Sequence, residues 1–173
     1  MSLKDKKIIV TGGPTREWLD PVRFISNASS GKMGISLADE AHNRGKEIVF
    51  IHGPIESALV KGKPYRVVSV DSTDDMLNAV VSELSDGAVL IMAAAPADYT
   101  AQQKSQEKIK KSEDDIVLHL KKTPDILKNV AALREAGRFR DLFVVGFAAE
   151  TTNLEEYATT KLHQKNLEMI CLN

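Results

Sequence analysis

The feature that most constrains this chain is a regular alternation of short apolar runs with segments of helical periodicity. The runs are rich in β-branched residues and continuously apolar, as is usual for strands that are buried on both faces of a parallel sheet. Six of them occur, at residues 8–11, 48–51, 66–70, 89–92, 144–147 and 169–172. Strands of this kind that alternate with helices favour a parallel sheet with right-handed crossovers.

Four helical segments lie between these runs, at residues 31–44, 72–84, 123–136 and 154–165. Ser72 with Asp75 is a capping pattern, and Thr123 with Pro124 is a second start signal, because proline in the first turn loses no hydrogen bond that it needed. Glycine at positions 45 and 137 favours helix ends there. The residues predicted to face the core are Met33, Leu37, Ala38, Ala41, Met76, Val80, Val81, Leu84, Ile126, Leu127, Val130 and Leu133.

The alternation predicts a single α/β domain over residues 1–173. It is Rossmann-like and doubly wound, with a mainly parallel sheet and helices on both faces. One segment, the lysine-rich insertion (residues 99–122), breaks the pattern after the fourth strand. Within the insertion, residues 115–120 follow the alternating pattern of a strand, which places Ile116, Leu118 and Leu120 on one face. This favours a mobile excursion that contains a small antiparallel ribbon.

Composition excludes several classes of function. The chain has 23 basic and 24 acidic residues, whereas a nucleic-acid binder usually has an excess of lysine and arginine that cluster together. Its one cysteine, Cys171, excludes an internal disulfide framework and a CxxC metal site. No apolar run approaches the roughly 20 residues of a membrane span, and no signal-peptide pattern is visible at the start. We therefore expect a soluble, cytoplasmic protein without nucleic-acid or membrane partners.

The connection after the first strand, residues 12–34, is far longer than the usual loop of about 4 to 6 residues, and long loops of this kind are often functional. In open parallel sheets, ligands bind beyond the carboxyl ends of the strands. The segments "AAAPADY" (93–99) and "GFAAET" (146–151) are predicted to reach the same edge. The long connection ends in "SSGKMG", whose helix start, with Ser29 and Ser30, forms an anion site by geometry and dipole. Arg16 and Arg23 could add contacts to phosphate or carboxylate oxygens.

Each of these features also has a purely structural interpretation. The serines could be an ordinary capped helix start, and Asn27 could be an Asx-turn residue. Arg16, Arg23 and Asp20 could form an ion-pair network that fixes the loop. The lysines at positions 108, 110 and 111 could be a solvated face, and the alanines at 93–95 could only permit close packing. The four histidines are scattered, which gives a metal cluster little support, and no nucleophile elbow is present.

A nicotinamide-binding site of the usual form is not supported. A dinucleotide fingerprint needs G-x-G-x-x-G at the first turn and an acidic residue at the end of the second strand. Here the first turn is "TGGPTRE", and the second strand ends in "FIHG".

Several of these segments together resemble one family. "GGPTREWLDPVRFISNASSGKMG", "AAPADY", "EKIKK", "KTPDIL" and "GFAAET" occur in this order and resemble the phosphopantothenoylcysteine synthetase domain of coenzyme A biosynthesis. The resemblance spans nearly all of the 173 residues and is more specific than any single motif. In many bacteria this domain is the C-terminal half of a bifunctional protein whose flavin-dependent half performs the following decarboxylation.

The resemblance implies a CTP-dependent carboxylate–amine ligase, phosphopantothenate–cysteine ligase. CTP converts the carboxylate of 4'-phosphopantothenate into an acyl-cytidylate, and cysteine then displaces CMP to form the amide. It also implies Mg²⁺, for which the ligands are undetermined, and no flavin in this domain. The implied partners are a second copy of the chain in a homodimer and the flavin-dependent decarboxylase, fused or separate.

By the same resemblance, Asn27 holds and polarises the acyl-cytidylate carbonyl, and Arg23 stabilises the same region. Lys108 lies on a flexible strap, within the insertion, that closes over the triphosphate. The implied nucleotide-binding residues are Gly12, Ser29, Ser30, Gly31, Ala94, Ala95, Asp98, Lys108, Gly146, Phe147, Ala148 and Ala149.

Three departures from the family pattern affect this transfer. Thr100 stands where the family usually has arginine, and Pro96 stands where a small apolar residue is more common. The family also continues beyond the position of "ICLN", so we expect this chain to be truncated at its C-terminus and to lack full activity if so. Two alternatives therefore stay open: a nicotinamide- or flavin-binding oxidoreductase, and a non-catalytic nucleotide-binding fragment.

Overall fold

The computed structural model describes residues 2–111, 116–148 and 154–172. Its elements in chain order are β1 (Lys7–Gly12), β2 (Arg16–Trp18), β3 (Phe24–Ser26), α1 (Lys32–His42), β4 (Glu47–His52), β5 (Arg66–Ser69), α2 (Thr73–Glu83), β6 (Val89–Met92), β7 (Tyr99–Ala101), β8 (Leu120–Lys122), α3 (Ile126–Glu135), β9 (Phe143–Ala148), α4 (Leu154–Gln164) and β10 (Met169–Leu172). A short 3-10 turn, Ser57–Leu59, lies between β4 and β5.

Six strands form one sheet in the order β10-β9-β6-β1-β4-β5, and every neighbouring pair is parallel. The chain moves outward from β1 through β4 to β5, and then returns to β6 on the other side of β1. This reversal is the topological switch point of a doubly wound sheet, where ligands bind beyond the carboxyl ends of the strands. The predicted Rossmann-like fold and all six predicted strands are confirmed.

The core has two layers, one on each face of the sheet, because successive residues of a buried strand point to opposite faces. Ile8, Val10 and Phe50 pack with α1 on one face. Ile9 and Leu90 lie on the other face, where they pack with residues of α2 and α3. Helices therefore cover both faces, as predicted.

Two details of the predicted helices differ from the structure. Met33 is 52% exposed and Ile35 takes the buried position, because Gly34 brings α1 directly against the end of β1. The third helix begins at Ile126, after the N-cap Asp125, whose carboxylate accepts a hydrogen bond from the Lys128 backbone N–H (3.1 Å); Pro124 therefore precedes the helix.

The predicted helix ends are both glycines, but for different reasons. Gly137 adopts φ +80°, the left-handed conformation that ends many helices. Gly45 instead allows close packing, because a Cβ there would lie 2.7 Å from Cδ1 of Ile8. The start of α2 carries the predicted cap as a complete capping box between Ser72 and Asp75. Hydrogen bonds from Ser72 to the Asp75 carboxylate lower the pKa of that group.

Two short antiparallel pairs lie outside the main sheet. In the long connection, β2 pairs with β3 to form a hairpin (residues 16–26) that the sequence did not reveal. In the insertion, β7 pairs with β8, which confirms the predicted ribbon. Its second strand lies at Leu120–Lys122 and not at 115–120, because the ladder starts beside Asp98, whose carbonyl oxygen accepts from the Thr123 N–H (3.0 Å). Residue 115 lies outside the described residues.

None of the helices within the described ranges combines the length and the apolar character that crossing a bilayer requires.

Candidate functional site

A cavity of about 240 Å³ opens at the carboxyl ends of β6 and β9. Its walls come from the segment that follows β6, from the residues around the start of α3, and from Phe147 and Lys165. Met92, Ile126 and Leu127 contribute apolar surface. This position agrees with the rule that open parallel sheets bind ligands outside the carboxyl ends of their strands.

The polar part of the cavity consists of a few side chains that meet from separate elements. Asp98 is exposed and lies just before β7. Asp125 caps α3, and its carboxylate forms an ion pair with the Lys165 ammonium at 3.1 Å. Thr123 adds a hydroxyl. An apolar pocket with convergent polar groups of both charges can hold a flat ring and its hydroxylated or anionic substituents.

The first strand continues past its last sheet residue and holds the segment after β6 in place. The backbone N–H of Ala94 donates to Thr11 Oγ1 (3.1 Å), and that of Ala95 donates to the Gly13 carbonyl (2.9 Å). The N–H of Ala97 donates to Thr15 Oγ1 (2.9 Å). Because these N–H groups already donate within the protein, a ligand at this wall is left with carbonyl oxygens and side chains.

A ring of hydrogen bonds among buried groups closes around Ala97. Thr15 Oγ1 lies 2.8 Å from Thr73 Oγ1, and Thr73 Oγ1 donates to the Ala97 carbonyl (3.3 Å). One proton arrangement satisfies the whole ring: the Ala97 N–H donates to Thr15, Thr15 to Thr73, and Thr73 back to the Ala97 carbonyl. Thr123 Oγ1 donates to the same carbonyl (2.6 Å). The cavity wall at 96–98 is thereby fixed to three other parts of the chain.

Asn27 lies beside this wall. Its Nδ2 donates to the carbonyl of Pro96 at 2.8 Å and, at 3.4 Å, to that of Ala95. Asn27 is exposed and does not line the cavity itself. The side-chain amide therefore ties the long connection to the segment that forms the cavity wall.

The hairpin is docked between the start of α2 and the insertion. Glu17 is buried, and its carboxylate accepts from the Thr73 backbone N–H (2.8 Å) at the first residue of α2. Trp18 Nε1 donates to the Asp71 carboxylate (2.5 Å). The Arg16 guanidinium lies over the Phe24 ring, 4.8 Å from its centroid.

Arg23 is held by the structural interaction that the sequence left open as an alternative. Its Nε and Nη2 donate to the Asp20 carboxylate at 2.9 and 2.6 Å, and Nη2 also donates to the carbonyl of Ile109 (2.6 Å). Arg16, the third member of that alternative, stacks on Phe24 instead of joining this pair. Lys108 is exposed and does not line the cavity.

The glycines at the first turn allow α1 to approach β1 closely. A Cβ on Gly34 would lie 2.7 Å from the Cα of Gly12, so both positions exclude a side chain. Gly31 is the N-cap of α1 with φ 73°, and the helix begins without a side-chain cap. Ser29 Oγ accepts from the Gly31 N–H (3.4 Å), and Ser30 is exposed. An uncapped start of this kind leaves N–H groups available to an anion.

Of the other predicted nucleotide-binding residues, some line the cavity and others lie within or beside β9. Ala94, Asp98 and Phe147 line the cavity. Gly146 lies in β9, where a Cβ would approach the Leu167 side chain to 2.8 Å, and Ala148 is buried at the end of that strand. Ala149 lies outside the described residues.

Sequence reasoning missed the threonines at 15, 73 and 123, Asp125 and Lys165 as site residues. Thr123 and Asp125 stand in "KTPDIL", where their capping pattern was visible. No local signal identifies Lys165, which reaches the cavity through tertiary folding. Across the described parts of the chain, His, Cys, Asp and Glu side chains nowhere gather in a group of three that could hold a metal. Asp98 and Asp125 supply carboxylates of the kind that Mg²⁺ prefers when phosphates complete its coordination.

Comparison with known proteins finds relatives over nearly the whole chain. Residues 3–173 match the family described as DNA/pantothenate metabolism flavoprotein C-terminal domain. The chain is 44% identical over 173 residues to the coenzyme A biosynthesis bifunctional protein CoaBC of Vibrio cholerae. The alignment covers 99% of this chain and 42% of the relative. The corresponding protein of Escherichia coli K12 is also 44% identical, with 99% and 41% covered. The chain thus spans about two fifths of the length of these relatives.

Solved structures give the same result. The crystal structure of the C-terminal domain of CoaBC superimposes with a TM-score of 0.78 at 40% identity and covers 99% of this chain and 78% of that one. A Cab2 variant in complex with phosphopantothenate-cysteine shares the fold, with a TM-score of 0.76 at 19% identity and coverage of 97% and 72%. The chain therefore belongs to the DNA/pantothenate metabolism flavoprotein C-terminal domain family.

Proposed function

We propose that this chain is the ligase domain of coenzyme A biosynthesis, a phosphopantothenate–cysteine ligase that uses CTP. Three findings support the proposal. The family match spans nearly the whole chain, the CoaBC relatives are named for coenzyme A biosynthesis, and the Cab2 variant that shares the fold is described with phosphopantothenate-cysteine. The observation that carries it is the cavity at the carboxyl edge, which combines an apolar surface with Asp98, Asp125 and Lys165. The oxidoreductase alternative is not favoured by the family.

The reaction has two balanced steps. A carboxylate oxygen of 4'-phosphopantothenate attacks the α-phosphorus of CTP, and pyrophosphate leaves. The amine of cysteine then attacks the acyl carbon, and CMP leaves with the electron pair of the broken C–O bond while the nitrogen loses a proton. Neither step needs a covalent bond to the protein, so positioning and charge neutralisation account for catalysis. Mg²⁺ bound to the triphosphate would supply additional positive charge.

We assign roles to the predicted residues on this basis. The base and ribose occupy the cavity between Asp98, Phe147 and the start of α3. The uncapped start of α1 at Gly31 receives phosphate oxygens. Asn27, which adjoins the cavity wall at Pro96, faces the acyl-cytidylate carbonyl. Lys108, on the insertion, neutralises the charge that develops on the triphosphate in the transition state.

Calorimetric titration with CTP and Mg²⁺ tests the assignment of the cavity. Asp98→Asn should weaken CTP binding about tenfold, because a hydrogen bond to a charged group is worth about 1.5–3 kcal/mol. Asp5→Asn, at an exposed position outside the cavity, is the matched control and should leave CTP binding unchanged. Binding of NADP or FMN in place of CTP would contradict the proposal. CTP binding without pyrophosphate release on addition of phosphopantothenate would indicate the non-catalytic fragment.

A homodimer is part of the proposal. Exposed apolar side chains cluster on the hairpin and the insertion: Val22 (56% exposed), Phe24 (41%), Tyr99 (47%), Val117 (76%) and Leu120 (43%). Patches of this kind commonly mark protein–protein contacts. Sedimentation should show that Val117→Lys weakens the dimer, whereas Leu172→Lys, at an exposed leucine on β10, should not. A wild-type monomer at all concentrations would contradict it.

The remaining assignments concern the setting of the domain. We propose that residues 1–173 act as one ligase domain in the cytoplasm, with the insertion at 99–122 as part of its site. A flavin-dependent decarboxylase, fused or separate, takes its product, as the bifunctional CoaBC relatives suggest.

A further inference from the structure

A fully buried carboxylate connects the hairpin to the insertion. Asp20 is 0% exposed. Its Oδ1 accepts from the backbone N–H groups of Val22 and Arg23, both at 2.8 Å. These two bonds shape the turn between β2 and β3, and they are local in sequence. They involve only one of the two carboxylate oxygens of Asp20.

The other carboxylate oxygen holds a residue that is distant in sequence. Oδ2 of Asp20 accepts from Nε and Nη2 of Arg23 and from the backbone N–H of Ile109 (3.1 Å). Nη2 of Arg23 donates in turn to the Ile109 carbonyl (2.6 Å). The ion pair therefore binds both backbone polar groups of Ile109. A further bond joins the same two regions, from the Ser105 N–H to the Leu19 carbonyl (2.9 Å).

A turn alone does not need this ion pair. A neutral asparagine can accept the same two local hydrogen bonds in an Asx-turn. Burying a charged pair carries a desolvation cost, which is offset only when its hydrogen-bonding capacity is well satisfied. Here the remaining capacity is satisfied by Ile109, through charge-assisted bonds of the stronger kind.

The protonation state of Asp20 agrees with this geometry. Burial acts to raise the pKa of its carboxyl, but hydrogen bonds from Arg23 and from the backbone N–H groups of Val22 and Ile109 outweigh burial and hold the pKa well below its usual range. The carboxylate is therefore ionised under ordinary conditions, and the bonds to Ile109 keep their charged partner.

We propose that Asp20 and Arg23 are positioning residues that fix the insertion at Ile109 so that the adjacent Lys108 is placed for the reaction. This inference rests on the proposed function for the role of Lys108, but the grip on Ile109 does not. Lys108 is joined directly to the held residue, so release of Ile109 moves the point from which the lysine extends. Displacement of a catalytic group by about 1 Å can lower a rate about a hundredfold.

The test compares Asp20→Asn with wild type in the full chain. Asparagine keeps the local turn but replaces the acceptor that faces the Ile109 N–H and the Arg23 guanidinium. Trypsin cleavage after Lys104, Lys108, Lys110 and Lys111 should become at least about tenfold faster, since two charge-assisted bonds no longer hold the segment. The kcat should fall about a hundredfold while the Kd for CTP changes less than about threefold. Glu40→Gln, which removes an exposed ion pair with Arg44 on α1, should change none of these quantities.

A second variant protects the test against misfolding. Arg23→Lys keeps the positive charge but cannot pair with the Asp20 carboxylate and the Ile109 carbonyl as a planar fork does, so it should also accelerate cleavage. Unchanged cleavage in both variants overturns the proposal, as does an equal loss of kcat and CTP affinity. If the variants are cleaved faster but the wild-type chain forms no acyl-cytidylate, the hold of Asp20 and Arg23 on Ile109 is supported and the proposed function is rejected.

Discussion

Replacing Thr15 by valine isolates one hydroxyl group in the buried ring around Ala97. Valine has nearly the same shape as threonine, so the change leaves the packing volume intact and removes only the oxygen and its proton. Thr15 and Thr73 are 0% and 1% exposed, and Ala97 is 2% exposed, so water cannot replace the lost partner. The N–H of Ala97, which donates to Thr15 Oγ1 at 2.9 Å, is then left without its acceptor.

Either single change leaves a buried donor of the ring unsatisfied. Thr15→Val removes the acceptor of the Ala97 N–H. Thr73→Val removes the acceptor of the Thr15 hydroxyl, although the Ala97 carbonyl still accepts from Thr123 Oγ1 at 2.6 Å. An unsatisfied buried donor costs about 1–3 kcal/mol, and for a chain of this length 1 kcal/mol corresponds to a Tm change of about 2–4 °C. We therefore expect Tm to fall by about 2–12 °C for each single variant.

Denaturant unfolding of the two single variants and the double variant checks this reasoning. Since both hydroxyls belong to one ring, the double variant should be less destabilised than the sum of the single variants by about 1 kcal/mol. Weaker CTP binding should accompany Thr15→Val, because the displaced segment forms the cavity wall. Strict additivity of the two single changes would refute the ring as described.

Three further predictions follow from single contacts. Burial and the hydrogen bond to the Asp39 carboxylate raise the pKa of Tyr65 above its ordinary 10.0, so the stabilising effect of Tyr65 should be complete below pH 10.0 and lost only as pH rises through the higher pKa of the folded state. Tyr65→Phe should remove the last tyrosine transition in an ultraviolet titration, and persistence of that transition in the variant would contradict the assignment. Gly53→Ala should lower the free energy of unfolding by about 3 kcal/mol, since the new Cβ would lie 1.5 Å from a backbone carbonyl oxygen. Gly62→Ala, where the new Cβ would face open space at φ +72°, should lower it by only about 1 kcal/mol. Similar unfolding midpoints for the two variants would show that the backbone at Gly53 shifts freely. Asn27→Asp should slow amide formation more than it weakens CTP binding, whereas an equal loss of both would mean that the amide only shapes the loop.

The main sheet was predictable from local sequence because each of its strands contains a short apolar run. The runs at 89–92 and 169–172 coincide with β6 and β10. The capping box at Ser72 was predictable for the same reason, since all of its groups lie within four residues. Such features depend on side chains that are close in sequence, and their physical chemistry is the same in a peptide as in the fold.

The hairpin and the ribbon were harder to predict because their stability comes from distant partners. Each has strands of only three residues, too short to persist alone. Glu17 and Trp18 bind residues of the β5–α2 region, more than fifty positions later in the chain. Lys165 follows α4, and it meets the cavity only because folding places its ammonium against the Asp125 carboxylate, forty positions earlier in the chain. No local pattern encodes such contacts.

The length of the first connection has a physical explanation in these contacts. A short turn would be enough to join β1 to α1, yet residues 12–34 contact the cavity wall at 95–97, the start of α2 and the insertion. Thr15 and Asn27 hold the wall at 95–97, Glu17 caps α2, and Asp20 holds the insertion at Ile109. A cavity built from separate loops would lose its shape whenever one loop moved. Residues 15–27 hydrogen-bond both the cavity wall and the segment that carries Lys108, so the two regions belong to one hydrogen-bonded unit.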